Sequence, residues 1–236
     1  MMTNRLIYAL PLIVSWILLF GNATTAWGEE QQPVRDENPG LASSEFSFDP
    51  NDTQLARNFR LKIGGWLNFG LVYNAEQPAD HFNGPVSFAD RSNEFLFNQL
   101  YLFIERKALA RSGEWDFGGR LDFVFGSDAL FTRSLGDPAN HWDSHLLHQR
   151  IYGIAFPQIY LEIATPIGRG LRVKIGEFYT IIGVESVMAP DNFFYTHSYA
   201  MQYGEPFSHV GILTTYPVAE GLELKAGAMT FSPLGG

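Results

Sequence analysis

The sequence predicts an all-β fold, an antiparallel transmembrane β-barrel with about seven strands in the chain and the barrel incomplete within it. Three observations predict this. Apolar and polar residues alternate over unusually long stretches, the connections between those stretches alternate between long and short, and an export-type N-terminus is followed by no second long apolar run.

Arg5 is the only charged residue before Glu29, and the apolar run 6–20 that follows it is interrupted only by Pro11 and Ser15. Ala26-Trp27-Gly28 then precedes Glu29-Glu30. A positive start, a short apolar segment and a small-residue site make residues 1–28 a signal peptide, with Glu29 as the mature N-terminus. The alternative, an uncleaved anchor, needs roughly 20 apolar residues; the run is shorter, and Pro11 breaks it. Residues 29–58 carry Glu29, Glu30, Asp36, Glu37, Glu45, Asp49 and Asp52 against Arg35 and Arg57, with Pro33, Pro39 and Pro50 between them. Such a segment buries too little apolar surface to fold, and it reads as a disordered acidic periplasmic linker. Residues 59–236 read as the N-terminal portion of the barrel.

The whole chain carries a formal charge of -9, and its balance argues against a nucleic-acid or polybasic membrane-surface role. Cys is absent, so an exported chain is held by backbone pairing and packing rather than by disulfides.

Period two begins at Phe59. Phe59, Leu61, Ile63, Leu67, Phe69, Leu71 and Tyr73 form one face, and Arg60, Lys62, Gly64, Trp66 and Asn68 the other. A membrane strand needs about 9–11 residues, more than the usual five or six. Residues 115–126 repeat the pattern, with Trp115, Phe117, Leu121, Phe123 and Phe125 set against Asp116, Arg120 and Asp122. Residues 95–106 are apolar on both faces, so alternation leaves their orientation open. Further strands are predicted at 158–165, 170–176, 209–216 and 222–229. The connections run long (74–93), short (107–113), long (127–150), short (166–170), long (180–207) and short (217–221), and the short ones carry Gly or Pro. Outer-membrane barrels have short periplasmic turns and long outer loops, which places the N-terminal linker in the periplasm and the first strand running outward. Only a closed sheet satisfies its backbone in hydrocarbon. No closing strand with a terminal aromatic is present, so the chain is expected to be a fragment or, alternatively, one of several chains that pool their strands.

The segments 82–106, 115–128, 157–164 and 174–211 resemble the β-barrel porin-2, OmpL-like family (BBP2). The most specific is the APDNFFY…SYAMQYGEPF run near 189–207, which strand alternation does not explain. The resemblance implies an outer-membrane barrel with a pore-like role and names no solute.

No catalytic constellation stands out: thiol chemistry is excluded, and nucleophile-elbow, P-loop and dinucleotide motifs are missing. Catalytic, cofactor-binding and metal residues are therefore predicted as none. His141, Asp143, His145 and His148 have metal-like spacing, but the preferred reading is a polar outer loop that happens to be His-rich. Pore-lining candidates are Arg60, Lys62, Asp116, Arg120, Asp122, Glu162, Arg172, Lys174, Glu223 and Lys225. Their basic excess predicts a weak anion preference, since rings of basic side chains attract anions. The loop 185–207, with Asp191, His197 and Glu205, either folds inward as a constriction or packs outside as an aromatic cap. Trp66, Tyr73, Trp115, Tyr179 and Tyr216 fit interfacial girdles or the core. The expected function is passive diffusion of small hydrophilic solutes, with outer-membrane lipid as surroundings and a homo-oligomer as an open alternative to a monomer. The competing expectation is a non-conducting barrel with a structural or surface-interaction role.

Overall fold

The computed structural model of the chain describes residues 16–19, 49–84, 86–110, 113–132 and 151–231. Among them the strands β1 (Trp16–Leu19), β2 (Lys62–Leu71), β3 (Phe95–Arg106), β4 (Asp116–Gly126), β5 (Gly153–Ala155), β6 (Ile159–Ala164), β7 (Arg172–Tyr179), β8 (Ser208–Ala219) and β9 (Leu222–Phe231) form one antiparallel sheet. Its order is β1-β9-β8-β7-β6-β4-β3-β2, with β5 paired to β4, and the two ends of the sheet are not joined. Every predicted strand is present, and the β2–β3 and β7–β8 connections, both long, lie at the same end of the sheet.

One face of the sheet is apolar and open. Leu67, Phe117 and Leu161 are 59%, 58% and 67% exposed. Neighbouring rungs add Leu102, Ile104, Leu121, Ile175 and Ile212 to the same face. An exposed apolar wall on strands of 10–12 residues is what lipid requires and water does not tolerate.

Four features depart from the sequence reading. First, residues 50–59, assigned to the disordered linker and the first strand, form a 3-10 turn (Pro50–Asp52) and a helix α1 (Gln54–Phe59). Asp49 and Thr53 cap their starts through Asn51 N–H and Ala56 N–H, and Arg60 ends the helix in a left-handed conformation (φ 55). Asn51 exchanges two hydrogen bonds with the backbone of Ile63, so this segment hooks onto the outer edge of β2. Second, β3 contains a bulge: Asn68 pairs with Gln99 but Phe69 with Phe97, which leaves Asn98 as the extra residue. Phe95 and Phe97 therefore share a face with Leu102 and Ile104, while Asn98 and Gln99 both turn to the other side; this resolves the strand whose alternation was ambiguous. Third, the strand predicted at 158–165 is preceded by β5 on the same partner, and Phe156-Pro157-Gln158 forms the break between them. Proline cannot donate to the ladder, which explains the interruption. Fourth, β1 runs along the outer edge of β9 from within the segment read as a signal peptide.

Candidate functional site

The face opposite the apolar wall gathers the charges. Directly paired residues share a face, so the rung Lys62, Glu105, Arg120, Tyr160 and the neighbouring rung Glu162, Lys174 follow from the register. Asp116, Asp122, Arg172, Glu223 and Lys225 lie on the same face. Arg60 reaches it from the end of α1 rather than from a strand, by donating from Nη2 to the Asp116 carboxylate at 2.7 and 2.9 Å. All ten charged candidates are thus brought to one side of the sheet.

On β2–β4 this face is tightly built. Arg106 and the Leu109 N–H join Arg60 on Asp116, each at 2.8 Å. Arg120 donates from Nε to Asp122 at 2.7 Å, approaches Glu105 at 3.8 Å and lies 4.7 Å from the centre of the Phe103 ring. Asp122 is fully buried and also accepts from Tyr101 Oη and Gln158 Nε2. Three donors compensate a carboxylate that would otherwise be costly to bury. Trp66 stacks on Tyr101 at 4.1 Å and 11°, and Tyr179 Oη lies 3.2 Å from Tyr101 Oη. Trp66 and Tyr179 therefore belong to this cluster and not to an interfacial girdle.

The loop 180–207 folds over the same region. The bulge aims Asn98 and Gln99 at it. Gln99 Nε2 donates to Val187 O at 2.7 Å and to Asp128 Oδ2 at 2.8 Å. Its Oε1 accepts from Trp66 Nε1 at 2.7 Å and from Ala189 N–H at 3.3 Å. Tyr195 Oη donates to Asn98 Oδ1 at 3.0 Å, with its ring lying where a side chain at Gly70 would be. Met188 Sδ sits 3.5 Å from Arg120 Nη2. Phe88, Val187, Met201 and Phe207 form a small core among the loops, and Gln202 ties residues 86–89 to it by accepting from Ser87 N–H. The loop thus lies over the charged face of β2–β4 rather than over the apolar one.

Its expected constriction residues are not brought together. Asp191 is exposed in a 3-10 turn (Ala189–Asp191). His197 lies 3.2 Å from Glu185 and edge-on to Phe88, and burial lowers its pKa despite that carboxylate. Glu205 is buried beside Gly183, and burial raises its pKa. The residues that touch the sheet are Val187, Met188, Ala189 and Tyr195. Sequence reasoning missed them; the polar pair Asn98-Gln99 inside an apolar strand was the one available signal. Asp128, only 5% exposed, is held by Gln99, Asn98 and Ser127, yet burial pushes its pKa up to about 6. The cluster His141, Asp143, His145 and His148 lies outside the described residues.

On β7–β9 the charged face is sparse. Glu223 takes both Arg172 at 2.5 Å and Lys225 at 3.7 Å. Lys174 makes no ion pair among the described residues; its Nζ lies 4.1 Å from the centre of the Tyr160 ring. Glu162, directly opposite Lys174, accepts instead from Ala108 N–H.

No curated protein and no solved structure shows significant similarity to the chain. A family model does: beta-barrel porin-2, OmpL-like (BBP2), matches residues 60–231, from the end of α1 through β9. With its antiparallel membrane-type strands and that match over most of its length, the chain belongs to the BBP2 family of porin-like β-barrels.

Proposed function

We propose that the protein is an outer-membrane porin that passes small hydrophilic solutes by passive diffusion. The observation that carries this reading is the division of the sheet into an exposed apolar face and an opposite face bearing all ten charged candidates. Once the sheet is rolled with the apolar face to lipid, the charged face lines an aqueous lumen. Arg60, Lys62, Asp116, Arg120, Asp122, Glu162, Arg172, Lys174, Glu223 and Lys225 are then wall residues. The loop 180–207 narrows the passage through Met188 and Tyr195, with Asp191, His197 and Glu205 in the same loop. Export by a cleaved signal peptide fits the sequence of residues 1–28. Its removal would take β1 from β9 and leave an edge that must pair with another strand, because hydrocarbon tolerates no open edge.

Liposome swelling with neutral sugars of graded size tests the reading. Swelling that falls off with solute size is expected. A heat-modifiable, membrane-inserted protein that gives no swelling would instead favour a non-conducting barrel with a surface-interaction role. The coverage of β2–β4 by the loop is the observation on that side.

A further inference from the structure

The charge pairing differs along the face, and the difference points to a ligand. On β2–β4 Asp116, Asp122 and Glu105 are each engaged by an arginine. On β7–β9 Arg172, Lys174 and Lys225 have one ion-pairing carboxylate, Glu223, among the described residues, and only Arg172 and Lys225 reach it. Glu223 is already doubly used by Arg172 and Lys225, and Glu162 is turned toward the β3–β4 connection by Ala108 N–H. Lys174 is seated on Tyr160 and makes no ion pair among the described residues, with Glu162 facing it from β6. The positions beside it carry no side chain: Gly176 follows on its own strand, Gly211 faces Gly176 on β8, and Gly227 lies across Leu213 on β9. Arg172 and Lys225 are about a third exposed at their side chains, at 34% each.

We propose that Arg172, Lys174 and Lys225 form a subsite for small dissolved oxyanions, such as phosphate or a carboxylate, on the β7–β9 wall. The proposal rests on the porin reading and adds a location to its anion preference. The arginine supplies a planar fork matched to an oxyanion, and the lysine supplies a point charge whose facing acid, Glu162, is held by the Ala108 N–H. A dissolved anion is favoured over a lipid headgroup because these side chains share the face opposite the exposed apolar wall.

Two measurements on the full chain, refolded in neutral detergent free of anionic lipid, test it. In the first, amine labelling read by mass spectrometry is followed as inorganic phosphate replaces chloride at constant ionic strength. Labelling of Lys174 and Lys225 is expected to slow several-fold while Lys62 is unaffected, and equal rates at all three would overturn the site. Protection in the absence of anionic lipid assigns the ligand to solution; protection that appears only with added anionic lipid would overturn the assignment to a dissolved anion. In the second, reversal potentials are compared for Lys174→Gln and Lys62→Gln in planar bilayers. A unit charge at a few ångströms shifts ion partition several-fold, so Lys174→Gln should lower anion preference by that order, with conductance retained. An unchanged ratio would overturn the site. Loss of all conductance in the unaltered protein would defeat the porin reading instead, and labelling would still decide the subsite.

Discussion

On β2–β4 the polar face carries Trp66, Tyr101, Phe103, Arg120 and Asp122 packed against one another and covered by Met188 and Tyr195. On β7–β9 the same face carries Gly176, Gly211, Gly227 and Thr215 between a few charged side chains. Both halves have the same pleat, the same alternation and a similar charge count, so neither pattern nor charge count makes the difference. What differs is where the charges find partners. In the first half they pair within the protein, and a loop seals them. In the second, Arg172 and Lys225 share Glu223, Lys174 rests on Tyr160, and none of the described loops is bonded to them. In the proposed pore one arc of the wall would be structural and hold a loop in place, and the other would face the passage. The following variants would break or sharpen that contrast.

The largest effect is expected from Gln99→Leu. Gln99 satisfies Asp128, Val187 O, Ala189 N–H and the Trp66 indole at once. Leaving buried polar groups unpaired costs about 1–3 kcal/mol each, so the variant should lose several kcal/mol and release the loop. Denaturant unfolding should show the loss, proteolysis should cut within residues 186–205, and single-channel conductance should rise as the first half comes to resemble the second. Conductance and proteolysis equal to those of the unaltered protein would mean that this latch does not hold the loop.

Next comes pH. Asp128 has a pKa of about 6 in the folded protein, above the ordinary 3.8, because burial disfavours its charge. The folded state therefore holds the extra proton between those values. Stability contributed by the neutral acid is fully present below about pH 4, declines as pH rises through 6, and is lost above it, a change of about 3 kcal/mol at most. Asp128→Asn should flatten that slope in unfolding midpoints taken from pH 4 to 7. A slope that survives the substitution would place its origin in another group.

Gly70→Leu should act more locally. Tyr195 covers Gly70, so a side chain there must displace the ring and its bond to Asn98. Overpacking of this kind costs about 1–3 kcal/mol. The expected readout is a conductance increase smaller than that of Gln99→Leu, with Thr215→Leu on the other half, beside Arg172 and Lys225, reducing conductance instead. Equal responses from the two variants would erase the distinction between the arcs.

How much of this was legible in sequence depends on the range of the interaction. The seven strands and the alternating loops were readable because period two is local, and lipid enforces it residue by residue. Nine of the ten charged candidates reached one face for the same reason, and Arg60 reached it from the end of α1. The first strand's start was misplaced because Phe59 and Arg60 continue the alternation by chance. Only the caps at Asp49 and Thr53 and the left-handed Arg60 mark a helix there. Residues 95–106 could not be oriented because one extra residue, Asn98, reverses the parity midway. The close fit of Gly126 (φ +147) against the Asn98 backbone is a tertiary fact that no local pattern carries. The loop's contacts were invisible for a similar reason, since Tyr195 meets Gly70 and Asn98 from about a hundred residues away.

The smallest effect is expected at the neighbours of Tyr195, and it separates residues that look alike in sequence. Phe193 and Phe194 are 94% and 71% exposed and touch each other edge-on at 4.9 Å. Tyr195, next in the chain, is anchored on the sheet. The double substitution Phe193→Ser, Phe194→Ser removes rings that bury little, and changes at such sites stay within about 0.5 kcal/mol. Tyr195→Phe deletes one bond to a buried amide and should cost about 1 kcal/mol. Unfolding of the two variants in the same detergent compares them directly. If the double variant were the less stable one, those exposed rings would have to be covered in the folded assembly. The loop's tip would then be a contact surface, and the structural arc would extend beyond β2–β4.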